Sequence, residues 1–389
     1  MVKRSLSLIG LSVILIYFTL NILIQRIKLI YFETELNVFL LTSRYFMEIV
    51  TLKKMADLLG ISITTVSKAL KDYPDVSPKT KKAVLDLAEQ LHFSPNSFAV
   101  NLRTKHSNTI GLIIPEVVHH FFSNVIRGVI EEAEKHGYMV IILQSNESLE
   151  LEKKQVELLF NKRVDGIIMS LSNDTNNDNH LKSILNRGIP FVQFDKISKL
   201  IQSSKVIIND QKAAMEAVQH LIDVGCKKIA HIRGPENPQN AIDRFIGYKK
   251  ALEKNGIVFD SKLVYTCETV TYEEGYDFAK QIIDDHPDVD GIFSITDLVA
   301  VGVLSYLNEQ KVDVPGKIAL VGFSNWFITE VISPKLSTID QPSYEMGVAS
   351  FTLLLEEILS NKESKPFKPR LIELETKLIV RESSLKKLH

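Results

Sequence analysis

One face of the segment Ser62–Leu70 carries side chains able to read a base edge. Val66, Ala69 and Leu70 fall together at helical spacing, which leaves Ile63, Thr64, Thr65, Ser67 and Lys68 on the other side. Hydroxyls donate and accept, an ammonium donates, and a branched aliphatic side chain can meet the methyl group of thymine. Around this face, Thr51–His106 carries nine basic residues (Lys53, Lys54, Lys68, Lys71, Lys79, Lys81, Lys82, Arg103, Lys105) against five acidic ones (Asp57, Asp72, Asp75, Asp86, Glu89). The local excess of four positive charges, in a chain of formal net charge −1, suits attraction to a phosphate backbone. A second group follows a series of short apolar runs: Phe121, Phe122, Asp195, Lys196, Asn240, Arg244, Asp297, Asn325 and Trp326. Rings, carboxylates, amides and cations gathered in loops are the groups with which a cleft orients a small polar molecule.

Three short helices must position the first group. Leu52, Met55, Ala56 and Leu59 make a one-sided stripe, with Thr51 at the cap and Gly60 at the stop. Ser62 caps a second helix through Leu70. Ser77-Pro78 opens a third, on which Val84, Leu87, Ala88 and Leu91 repeat the stripe. A tight, glycine-containing turn between the first two helices describes a helix-turn-helix unit over 47–93, whose second helix enters the major groove. Ser94-Pro95 then pairs a cap with proline again, and Asn96–Thr104 is helix-compatible with too little apolar surface to stand alone. This segment, 94–106, is expected to be a hinge.

From Thr109 the pattern changes to strand and helix in alternation. TIGLIIP, YMVIILQ, VDGIIMSL, IPFVQFD, KVIIND, KKIAHIRG, DGIFSIT and KIALVGF are apolar runs rich in branched residues, most of them separated by helical stretches. Strands buried on both faces mean a parallel sheet covered by helices, and such sheets bind ligands at the carboxyl ends of their strands. The second group of residues stands at those ends.

Composition excludes several classes. At 389 residues, 45% of them apolar, the chain can build the cores of two or three domains. Cys226 and Cys267 are too far apart for a disulfide framework or a paired-cysteine zinc site, which places the chain in a reducing compartment and predicts a cytoplasmic location. Adjacent His119 and His120 lack a third ligand at useful spacing, so no metal is expected. No glycine-rich phosphate loop or nucleophile elbow stands at a strand end, so neither an enzyme nor a cofactor is expected. Ser5–Gln25 holds no charge and is long enough to span a bilayer, but Lys3 and Arg4 before it and Arg26 and Lys28 after it give no orientation, and no small-residue cleavage site follows. Residues 1–46 are taken as an extension upstream of a true start at Met47, and as a membrane tether only if they are translated.

The run TLKKMADLLGISITTVSKALKDYPDVSPKTKKAVLDLAEQLHFSPNSFAVNLRTKHSNTIGLIIP resembles the start of lactose-repressor (LacI/GalR) family regulators, and the likeness continues to about Arg381. The resemblance implies a DNA-binding repressor, a homodimer or tetramer, on a two-fold-symmetric operator, with a two-lobed α/β sensor like the type I periplasmic binding proteins over 107–389. It implies chain crossings between lobes near Asn209, Asp340 and Lys362. It also implies that the hinge folds on DNA and pushes a leucine, here Leu102, into the minor groove beside Asn101 and Arg103. The candidate DNA contacts are Thr51, Ser62, Ile63, Thr64, Thr65, Ser67, Lys68, Asn96, Asn101, Leu102 and Arg103. In the sensor, relatives use an aromatic pair, an arginine and an aspartate, matched here by Phe121 with Phe122, Arg244 and Asp297. A carboxylate and a guanidinium each grip two neighbouring hydroxyls while aromatic faces stack on a sugar ring, so the implied effector is a carbohydrate. Asp195, Lys196, Asn240, Asn325 and Trp326 complete that candidate set. Four positions depart from the pattern: Lys68 and Lys196 stand where arginine is common, Val100 replaces another arginine, and Ser324 stands for a frequent aspartate. The competing assignment is an exported or membrane-tethered solute-binding protein, which would have no use for the helix-turn-helix unit.

Overall fold

The computed structural model describes residues 50–93 and 106–385, with Arg26 and Lys28. The expectations for Ser5–Gln25, for Met47 and for the hinge residues Asn96, Asn101, Leu102 and Arg103 fall outside the described residues. Among the described residues no helix is long and apolar enough to cross a membrane. The chain divides into two compact units between Arg103 and Thr104.

In the first unit, side-chain caps fix where each helix begins. Helix α1 (Leu52–Leu59) starts at Thr51, whose hydroxyl accepts the Lys54 N–H at 3.2 Å, and stops at Gly60, whose φ of +62° lets its N–H turn back on the last carbonyls. Helix α2 (Ile63–Leu70) starts at Ser62, and α3 (Pro78–Gln90) at Ser77 with proline in its first turn. Met55, Ala56, Val66, Ala69, Val76 and Val84 are buried where the three meet. So small a core depends on the caps, each of which contributes about 1 kcal/mol.

The second unit has two lobes. The first runs β1 (Thr109–Ile114), α4 (His120–Lys135), β2 (Met139–Gln144), α5 (Leu149–Lys162), β3 (Gly166–Met169), α6 (Asn179–Asn186), β4 (Phe191–Phe194) and β5 (Ser204–Ile208). The second runs α7 (Asp210–Asp223), β6 (Ile229–Arg233), α8 (Gln239–Lys254), β7 (Val264–Thr266), α9 (Tyr272–Asp285), β8 (Gly291–Ser294), α10 (Asp297–Glu309), β9 (Ala319–Ser324), α11 (Ile328–Val331) and β10 (Ser337–Asp340). Helix α12 (Ser343–Lys362) and β11 (Leu371–Leu374) return to the first lobe, and β12 (Lys377–Ile379) ends in the second. The sheet orders are β11-β5-β4-β3-β1-β2 and β12-β10-β9-β8-β6-β7. Every pairing is parallel except β10 with β12. Strands β1, β3, β4 and β8 are buried along their whole length, which is why their sequences are mostly apolar, with only Thr109, Gln193 and Ser294 as polar exceptions.

The chain leaves the first sheet after Ile208, returns after Asp340, and crosses a third time between Leu374 and Lys377. That last crossing corrects the position near Lys362. Helix α12 lies against α4 and strands β3 to β5, and the chain beyond it stays in the first lobe because β11 adds to the edge of β5 before leaving. Helices α4 and α12 touch backbone to backbone. A Cβ on Gly128 would lie 2.3 Å from the Tyr344 carbonyl oxygen, and one on Gly347 would lie 2.2 Å from that of Val125.

Candidate functional site

Between the lobes the strand ends enclose a cavity of about 210 Å³. Phe121, Phe122, Asp195, Lys196, Asn240 and Arg244 all line it. The phenylalanines open α4 and are also core residues, in edge-to-face contact with ring centroids 5.2 Å apart. Asp195 follows β4 with φ at +55°, and Ser324, which ends β9, and Asn325, which follows it, stand at +117° and +53°. Three non-glycine residues in left-handed backbone at the ends of two strands mark the cleft as a place where geometry is held against local preference.

Arg244 is the electrostatic centre. Its Nε donates to Asp210 Oδ1 at 2.7 Å, its Nη1 donates to the Ile295 carbonyl at 2.9 Å, and its guanidinium carbon sits 3.7 Å from the centroid of the Phe323 ring. Nη2 donates to no acceptor among the described residues. Asp210, the first residue of α7, was not among the sequence candidates, because an acidic residue opening a helix reads as a dipole partner. Burial pushes its carboxyl up to about 7, against the pull of Arg244. Burial also raises Asp195, which accepts from Asn240 Nδ2 across the lobes at 3.2 Å. Lys196 spans Glu147 at 2.5 Å and Asn173 at 2.6 Å. Both partners follow strands of the first sheet, and both line the cavity. Two more contacts join the lobes: Asn237 Nδ2 to the Asn173 carbonyl at 3.4 Å, and Lys199 to Asp243 at 3.4 Å.

Three candidates sit elsewhere. Asp297 and Trp326 line a smaller chamber beside the cavity. The Asp297 carboxylate is committed to the protein: Oδ1 accepts from the Thr338 hydroxyl at 2.6 Å and Oδ2 from the Trp326 N–H at 2.7 Å. Its expected role of gripping ligand hydroxyls is therefore corrected to one of holding the loop after β9. Burial pushes its carboxyl up to about 6. Asp297→Asn turns an N–H₂ toward one of those donors and is expected to cost about 1–3 kcal/mol in a denaturant melt. Asn325 lines neither chamber, since Asp340 and Arg381 occupy its amide at 2.9 Å each.

In the helical unit, α2 leaves Ile63 and Thr64 exposed and keeps Ser67 and Lys68 partly exposed. Ser62 accepts the Thr65 N–H at 3.0 Å, and the two hydroxyls bond at 2.8 Å, so both are occupied in the cap. Thr51 caps α1 in the same way. The Lys68 ammonium is paired with Asp75. Asp75→Asn should raise affinity for random duplex and steepen its salt dependence by about one counterion, as measured by anisotropy at stepped salt, because it releases a cation for phosphate.

A helix-turn-helix unit on a two-lobed receptor with a charged interlobe cleft defines a ligand-responsive DNA-binding regulator. Residues 51–96 match the model of bacterial regulatory proteins of the lacI family, and residues 107–377 match that of periplasmic binding proteins and the sugar-binding domain of the LacI family. The chain belongs to the LacI family of transcriptional regulators. It is 32% identical over 335 residues to the ribose operon repressor of Halalkalibacterium halodurans, covering 86% of this chain and 97% of that one. Among solved structures, it is similar to the transcriptional regulator CelR–cellobiose complex, with a TM-score of 0.66 and 27% identity over 86% of this chain and 99% of the other. The lac repressor dimer bound to operator shares the fold, with a TM-score of 0.77 at 23% identity, over 87% of this chain and 100% of that one. An exported solute-binding protein is not favoured by these matches.

Proposed function

We propose that this protein is a cytoplasmic repressor whose dimer binds a two-fold-symmetric operator, and that a small carbohydrate in the interlobe cleft sets its operator affinity. The observation that carries the effector class is the wall of the cavity: the free arm of Arg244, the Asn240–Asp195 pair and Lys196 face it together with the Phe121 and Phe122 rings. Such a set bonds adjacent hydroxyls on the edge of a sugar ring and packs against its apolar face. The names of two similar proteins, a ribose operon repressor and a regulator bound to cellobiose, support the same class. A dimer is required because one short recognition helix reads too few base pairs for genomic specificity.

On the DNA side, the reading falls to Ile63, Thr64, Ser67 and Lys68. Selection from randomised duplexes tests it: Lys68→Ala and Thr64→Ala should each flatten base preference at one position per half-site, by about 1–3 kcal/mol of discrimination. Retention of the wild-type preference by both variants would remove α2 from the role of reader.

A further inference from the structure

The cleft has a second chamber that the polar groups do not explain. It measures about 100 Å³ and shares Glu116, His119, Phe121, Thr296, Leu298 and Ser324 with the main cavity, so the two are continuous. Its remaining walls include Val118 and His120 from the first lobe and Trp326 from the second. The His120 and Trp326 rings face each other across the lobes, with centroids 6.1 Å apart and planes 29° from parallel. Of the two carboxylates on its walls, Asp297 already accepts two hydrogen bonds from the protein, and Glu116 is shared with the main cavity and exposed. The chamber therefore offers a guest mainly apolar surface.

At the junction of the two chambers stands His119. Its Nδ1 is sealed from solvent and has no hydrogen-bond partner among the described residues. Burial, with help from Lys196, takes the imidazole down to about 4, so it is neutral at physiological pH. A buried unpaired ring nitrogen costs about 1–3 kcal/mol unless something bonds it.

We infer that the effector has two parts: a polyhydroxylated ring in the main cavity, and a small, flat apolar substituent between His120 and Trp326, with His119 Nδ1, sealed until the lobes part, bonding the atom that joins them. This rests on the carbohydrate assignment above and adds the class of compound, a glycoside bearing an aryl or comparable planar group. The size fits. An apolar cavity of about 150 Å³ holds a benzene-sized guest, and a planar group stacked on both sides needs about 7–8 Å between rings, two contacts of about 3.5–4.0 Å each. Entry of the substituent thus parts His120 from Trp326 by about 1–2 Å, and because the two rings belong to different lobes, it moves one lobe against the other.

Trp326 is the single tryptophan of the chain, so its emission reports on this chamber directly. The test uses the intact protein and matched methyl and phenyl β-D-ribofuranosides, glucopyranosides and galactopyranosides, with affinity from calorimetry and tryptophan emission recorded in parallel. For at least one sugar, the phenyl glycoside is expected to bind at least tenfold tighter than its methyl partner and to change Trp326 emission. His120→Ala, which keeps the tryptophan, and Trp326→Ala should each bring the phenyl-to-methyl ratio below threefold. Equal affinities within every pair that binds, with unchanged emission, would overturn this inference and leave the carbohydrate assignment standing, as would a phenyl preference that survives both substitutions. Failure of all six glycosides to bind would overturn both.

Discussion

Above pH 7, where Asp210 is ionised, Arg244→Ala is expected to lose about 3–5 kcal/mol of stability in a denaturant melt, because it strips a buried carboxylate of its counter-charge. Asp210 stays in place at the start of α7, desolvated and without the 2.7 Å bond from Nε, and the Ile295 carbonyl loses its donor. The same substitution abolishes any ligand response, since Arg244 presents its remaining N–H groups to the cavity. Stability and recognition can be separated. In Arg244→Met with Asp210→Asn, no charge is left unpaired and the volume is roughly kept, so most of the stability should return, while ligand affinity should stay at least tenfold down, as expected for a lost hydrogen bond to a charged group worth about 1.5–3 kcal/mol. Recovery of ligand response in the double variant would show that Arg244 serves the fold alone.

Asp210→Asn alone should change how the sensor's stability depends on pH. The carboxyl is raised from an ordinary 3.8 to about 7, so between these values the folded state binds a proton that the unfolded state has released. Its contribution to stability is fully present at low pH and is lost as pH rises through that window. At about 1.4 kcal/mol per pH unit, the wild type loses up to roughly 4 kcal/mol relative to Asp210→Asn between pH 4 and pH 7. Groups not coupled to Asp210 cancel in the difference, including His119 and His231, which burial lowers to about 4 and about 3, while Asp195, whose charge raises Asp210, does not. Urea melts of both proteins across that range measure it directly, and parallel pH curves would show that Asp210 is ionised throughout beside Arg244.

The two ends of the molecule differ in how far their sequences disclose them. In the helical unit, the signals are local chemistry: Thr51, Ser62 and Ser77 cap helices at the positions where their hydroxyls are read, and Gly60 turns the chain where glycine stands. In the sensor, eight strands are plain because they are continuous apolar runs. Strands β7, β11 and β12 are not, since each is a short, partly exposed strand at a sheet edge, and β10, Ser337–Asp340, is mostly polar, so that pairing supplies what composition lacks. The third crossing lies past Lys362 because β11, a four-residue edge strand with alternating exposure, extends the first lobe beyond α12.

Within the cleft, six of the nine sequence candidates line the main cavity because strand-end loops converge there whatever their composition. What cannot be read locally is which side chains are already spent. Asn325 is held by Arg381, 56 residues away, and Asp297 by Thr338, 41 away. In the sequence His119 stands out only as one of an adjacent histidine pair, and its buried, unpaired nitrogen emerges only from the packing. Glu147 and Asn173 follow from the strand-end rule, applied to β2 and β3 as it was to β4.

The central claim is that occupancy of the interlobe cleft sets affinity for an operator. The direct measurement is anisotropy of a labelled duplex, recovered by selection from random sequence, titrated with protein in the presence and absence of a glycoside that binds the cleft by calorimetry. The glycoside should shift the operator dissociation constant by roughly 5–150-fold in the wild type, the usual range of coupling between two sites, and by less than twofold in Arg244→Met with Asp210→Asn. An operator affinity that stays the same with the cleft filled and empty would contradict that claim.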